Sequence, residues 1–145
     1  MPKWAILATA GAVLALAIVA LLKGWPVINV VETGGTPEYP DLLPKPYQAK
    51  KDRVLDAALR AVGRMPRWTL VSSRPEQGEI RAEAATRLFR FVDDIVIRVT
   101  EQGDSTVVNV RSASRIGRGD FGQNARNIRA LFAELDRQMG IGTGS

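Results

Sequence analysis

The chain of 145 residues contains no cysteine and no histidine. It therefore has no disulfide framework, no thiol nucleophile and no imidazole to activate Ser112 or Ser114. The usual ligands of zinc, haem and iron–sulfur centres are missing with them. No Walker or Rossmann glycine motif occurs. A chain without Cys carries no redox signature and fits either side of a membrane. These absences point away from an enzyme: no catalytic residue, cofactor or metal is assigned, and the expected mode of action is binding.

A second absence is local. Trp4 to Leu22 holds no charged residue over 19 positions. As a helix this stretch is about 28 Å long, close to the ~30 Å hydrocarbon thickness of a bilayer. Lys3 and Lys23 bracket it, and Trp4 and Trp25 fall where interfacial aromatics belong. The expectation is a single transmembrane anchor over residues 1–23. A cleaved signal peptide is the alternative, but the run exceeds the ~7–15 residues of a signal core and no small-x-small site follows it. The α-amine and Lys3 place the N-terminus in the cytoplasm by a small positive-inside bias. The expected location is the bacterial inner membrane, with the remaining residues periplasmic.

The net charge of +5 divides unevenly. Two of the 20 basic residues flank the apolar run, which leaves 18 basic against 15 acidic groups, or +3, for the rest of the chain. That is mildly basic and excludes a nucleic-acid binder on charge grounds. Beside a bilayer, such residues can meet anionic headgroups.

Residues 24–47 contain Pro26, Pro37, Pro40, Pro44 and Pro46 with Gly34-Gly35, so an extended linker is expected. Tyr39, Pro40 and Asp41, with Leu42 and Leu43 after them, form a candidate docking segment, because a free linker has little reason to carry such side chains. A domain over 48–140 follows, then a flexible tail over 141–145. Lys51 to Met65 has apolar residues at helical spacing, with Asp52 as its N-cap and Pro66 as its stop. Strands are expected at 68–72, 79–84, 95–100 and 106–112. Phe121, Ala125, Ile128, Phe132, Leu135 and Met139 form an apolar stripe on a final helix of ~19 residues, with Asp120 as N-cap and Gln123 completing a capping box. The order is α-β-β-β-β-α: an α+β fold in which a four-stranded antiparallel sheet, preceded by the transmembrane helix, is covered by two helices.

Two clusters are candidates for function. Asp93 and Asp94 follow Phe89 and Phe91, two aromatics that share one side of an extended segment. Paired carboxylates can bind a metal or exchange a proton; without His or a calcium-loop pattern they read instead as ion-pair partners for nearby arginines. The second cluster is residues 110–129, with five arginines, three glycines, two serines and two asparagines. Arg111, Arg115 and Arg118 precede a helix start, where free N–H groups favour anions. Ser112, Ser114, Asp120, Asn124 and Arg126 complete this candidate partner- or anion-binding set. In the competing reading the glycines only permit a tight turn and the arginines pair with Asp93, Asp94 and Asp120. Asn124, Arg126, Asn127 and Arg129 lie off the apolar stripe, on a solvated face or a continuation of the same surface.

Tyr39-Pro-Asp, Phe89-x-Phe-x-Asp-Asp94, the strand at 97–99 and the Arg-Ser-Ala-Ser-Arg-x-Gly-x-x-Asp-x-Gly-x-Asn-Ala pattern from Arg111 onward resemble a bacterial envelope family, domain of unknown function 1499. The resemblance covers about residues 38–136. It implies a small envelope protein with an anchor or export signal, and it supplies no catalytic residues. The resulting expectation is a membrane-anchored binding domain, an accessory or assembly subunit of a larger membrane complex, with the membrane and other membrane-protein subunits as partners. An anionic small molecule or lipid headgroup is the alternative ligand, and a carboxylate-dependent hydrolase the third reading.

Overall fold

In the computed structural model, residues 3–142 are described, without the side chains of Trp4, Ala5 and Leu22. Helix α1 spans Lys3–Lys23. Strands β1 (Val30–Glu32) and β2 (Lys45–Tyr47) follow, then helix α2 (Lys51–Arg64), β3 (Trp68–Arg74), a short 3-10 turn, β4 (Glu79–Ala85), β5 (Val92–Gln102), β6 (Ser105–Ser114) and helix α3 (Gln123–Met139).

Among the described residues the sheet is antiparallel and has six strands, not four. Both additional strands lie in the segment read as a linker. β1 pairs with β6 through Val31 opposite Ser112, and β2 pairs with the same edge of β6 through Tyr47 opposite Thr106. Three-residue strands are too short to show period-2 patterning. Pro46 in β2 is tolerated because an edge strand need not donate on its outer side. Between the two strands, residues 33–44 loop out and return. Tyr39 and Leu42 from that loop are buried, Leu43 is exposed, and the Arg129 guanidinium lies 5.5 Å from the Tyr39 ring while bonding Asp41 at 2.8 Å. The docking segment therefore packs on α3 of its own domain.

Alternation along the long strands divides the sheet into two unlike faces. Ile80, Ala82, Ile95, Ile97, Val99, Val108 and Val110 point to the helices and are buried with Val54, Leu55, Ala58 and Val62 of α2 and Ile128, Leu131 and Leu135 of α3. Burying such side chains stabilises the fold by roughly 1.5–3 kcal/mol each. The opposite face is uncovered and carries Glu79, Arg81, Glu83, Asp94, Arg98, Arg111 and Arg115.

The helix boundaries correct three cap assignments. α2 is capped by Lys50, with Asp52 inside the first turn. α3 starts at Gln123, two residues beyond the expected start, so Phe121 leaves the apolar stripe and is exposed. The Gln123 amide donates to Asn127 rather than reaching back, so no capping box forms.

The transmembrane expectation is also corrected. Among the described residues, no helix is long and apolar enough to cross a membrane. The inner-membrane location and topology rested on that helix and lose their support with it. Trp25 lies beside the start of α3, with the Arg126 guanidinium 5.4 Å from its ring. Trp4 and residues 143–145 of the expected tail lie outside the described side chains and residues.

Candidate functional site

The polar stretch after β6 is divided by the sheet. Ser112 and Ser114 point to the helix side, and Arg111 and Arg115 to the uncovered side, because their positions differ in parity. Arg115 donates to Asp94 at 3.0 and 2.6 Å and to Glu83 at 2.5 Å. Its cluster is an ion-pair network on the outer face. The hydrogen bond from Arg115 holds the Asp94 carboxyl below its ordinary range, against a smaller opposing effect of burial. Asp94 is thus the arginine partner expected; Asp93 is not. The two carboxylates face opposite sides of β5, which removes the paired-carboxylate geometry a hydrolase or metal site would need. Among the described residues, no group of three or more metal-ligating side chains assembles.

On the inner face, the end of the sheet meets the start of α3 through a buried hydrogen-bond network. Ser112 donates to Asn124 Oδ1 at 2.6 Å, and Asn124 Nδ2 donates to Ser114 Oγ at 2.8 Å and to the Asn29 carbonyl at 3.0 Å. Asn127 Nδ2 donates to Asp93 at 2.8 Å and to Ser112 Oγ at 3.1 Å. Asp120 accepts from the amides of Gly122 and Asn124 at 2.9 and 2.8 Å, satisfying two donors at the helix start from three residues ahead of Gln123. Gly122 is required here. Its φ is +77°, and a side chain would run into the Trp25 ring.

Asn127 and Asp93 were missed as members of this network. Asn127 is off the apolar stripe yet only 5% exposed, and helical periodicity alone reads such a position as solvated. Its signal was the one-turn spacing from Asn124, which places two amides over one strand end. Asp93 is 2% exposed. Burial raises its carboxyl above the ordinary range, its hydrogen bonds with Asn127 and Ser114 oppose that, and Asp120 and Asp94 add to it.

Asp93 and Asp120 also reach a cleft of about 420 Å³, lined further by Thr86, Leu88, Phe89, Phe91, Ile116 and Phe121 and by Arg87 and Arg126. No sequence pattern announced it, because its walls come from the β4–β5 loop and the β6–α3 loop, distant in the chain. The walls are apolar and open: Leu88, Phe89, Phe91, Ile116 and Phe121 are all exposed large side chains. Phe89 and Phe91 stack at 5.5 Å between ring centroids, although Arg90 between them is left-handed rather than extended. Among the described residues, Arg90 and Phe121 are two of three non-glycine positions with positive φ, and backbone strain of this kind collects at binding sites.

The remaining candidates are placed as follows. Arg126 is held by its bonds to the Phe121 carbonyl at 2.9 Å and to Gln123 at 3.2 Å. Arg118 is exposed in the loop after β6. Tyr39, Pro40 and Asp41 lie beside α3, outside the cleft lining.

The fold and site together define an α+β domain with an open apolar cleft where the sheet end meets α3. The family model described as Protein of unknown function (DUF1499) matches residues 18–135, and the chain belongs to that family. The match begins upstream of β1, so it takes in the Pro-rich segment as part of the domain. No curated protein matches the chain. Among solved structures, the crystal structure of TTHA0849 from Thermus thermophilus is similar over 79% of this chain and 99% of that chain, at 10% identity and a TM-score of 0.42. That likeness is too remote to transfer a ligand or an activity.

Proposed function

We propose that the protein acts by binding, and that the cleft between residues 86–91 and the start of α3 receives an apolar group of its ligand. The observation that carries this is the convergence of Leu88, Phe89, Phe91, Ile116 and Phe121, all exposed, on one concavity. Exposed apolar patches on folded domains mark interaction sites, and this volume falls in the ~300–1,000 Å³ range of small-molecule pockets. The anion-binding alternative is less well supported. Arg115 is engaged by two carboxylates, Arg129 by Asp41, and Arg126 by Phe121 and Gln123, while Asp93 and Asp120 also line the cleft.

A second reading keeps the expectation of an accessory or assembly subunit of a membrane-protein complex. It is favoured by Leu88 and Phe89, which are 80% and 68% exposed and extend the apolar surface outward. In that reading the occupant is an apolar side chain of a partner.

Fluorescence of the neutral apolar probe N-phenylnaphthylamine tests cleft binding. Ile116→Asp, which puts a charge on the apolar wall, is expected to weaken probe binding about tenfold with an unchanged circular dichroism spectrum. Equal probe binding by both proteins would place the apolar site elsewhere.

A further inference from the structure

Three carboxylates are buried among the described residues, Asp93, Asp120 and Glu134, and they differ from the others and from one another in what holds them. Asp41, Glu79, Asp94, Glu134 and Asp136 each contact an arginine or a lysine. Asp120 spends both oxygens on backbone amides. Among the described residues, Asp93 has only neutral partners, Asn127 and Ser114. The Ser114 oxygen already accepts from Asn124, which leaves its hydroxyl proton for Asp93. Two guanidiniums, Arg87 and Arg126, line the cleft, and Arg126 is turned to the Phe121 carbonyl, Gln123 and the Trp25 ring.

A buried carboxylate without a cation is costly, and removal of its charge or arrival of a counter-charge relieves that cost. Burial already raises the Asp93 carboxyl. Asp93, although only 2% exposed, is part of the cleft lining. Phe89, Phe91, Ile116 and Phe121 line the same cleft.

We propose that the cleft binds an organic amine, its apolar body against Phe89, Phe91, Ile116 and Phe121 and its protonated nitrogen donating to Asp93. The ligand class follows from charge complementarity at the floor and apolar complementarity at the walls. Aromatic faces beside a cation add further attraction. This inference rests on the reading of the cleft as the binding site. It runs against the overall field of the protein, since a net charge of +5 favours anions at long range.

Three probes with the same tail separate the terms: octylamine, octanol and octanoate, titrated calorimetrically into the full chain at neutral pH and moderate salt. Octylamine is expected to bind about tenfold more tightly than octanol, and octanoate more weakly than either. Asp93→Asn is expected to remove the octylamine advantage while leaving octanol binding in place. If octanol and octylamine bind alike, or the advantage survives in Asp93→Asn, the amine assignment is wrong and the cleft reading stands. If none of the three binds, both are wrong. The wild-type series decides the matter without any variant, so a poorly folding Asp93→Asn protein does not obstruct the test.

Discussion

Asp93 and Asp94 are adjacent in the chain and occupy different media. Asp94 lies on the uncovered face of the sheet, held by Arg115 and about half exposed at its side chain. Asp93 lies between sheet and α3, held by an amide and a hydroxyl at the floor of an apolar cleft. The same division separates Arg111 and Arg115 from Ser112 and Ser114 one strand away. The outer face is an ion-pair mosaic in solvent, where each pair contributes little. The inner face is a closed network in which each missing partner is expensive. Residues that look like one cluster in the sequence therefore serve two unrelated purposes.

The largest expected effect falls on the inner face. Asn124→Ala strips partners from Ser112, Ser114 and the Asn29 carbonyl at once. Leaving buried polar groups unpaired costs about 3 kcal/mol in total, measurable by chemical denaturation. A loss no larger than that of Arg115→Ala would erase the distinction between the faces.

A pH series sharpens the contrast further. The raised carboxyl of Asp93 means that the folded state binds its proton more tightly than the unfolded chain does. Its charge therefore costs nothing well below the ordinary carboxylate range and becomes a loss of stability as pH rises from that range through the raised value. Asp93→Asn removes this loss, so its stability relative to the native protein should improve as pH rises from about 3 to 7. Asp94 is lowered by Arg115 and behaves oppositely. Its contribution is present above the ordinary range and disappears as pH falls through the lowered value, so Asp94→Asn should be destabilising at neutral pH and neutral in strong acid. Parallel profiles for the two variants would contradict their separate environments.

The smallest effect is expected from Arg115→Ala. It removes an exposed pair of contacts, so thermal denaturation should shift only slightly, and octylamine binding should not change. A clear loss of binding would return function to the arginine cluster.

Much of the scaffold was legible. The four long strands and the helices at 51–64 and 123–139 follow from apolar periodicity, which is a local signal. β1 and β2 were not legible, because three residues such as Lys45-Pro46-Tyr47 show no alternation and exist only by pairing with β6. The transmembrane expectation rested on the uncharged run at residues 4–22, and among the described residues no helix is long and apolar enough to cross a membrane. At the site, glycines and arginines drew attention to residues 110–129, and Ser112, Ser114, Asp120 and Asn124 do meet there. The parity that sends Arg115 away from them was readable in the strand pattern. The cleft was not, since its walls join residues 86–91 to residues 116–121 only after the chain folds.

The central claim is that ligand binding belongs to the inner, apolar end of the sheet and not to the charged outer face. Nuclear magnetic resonance of the isotope-labelled protein during an octylamine titration tests it most directly. The expected result is saturable shifts of the amides in residues 86–93 and 114–123, with those of Arg81, Arg98 and Arg111 unmoved. Shifts concentrated on the outer strands, or spread evenly over the surface, would contradict it.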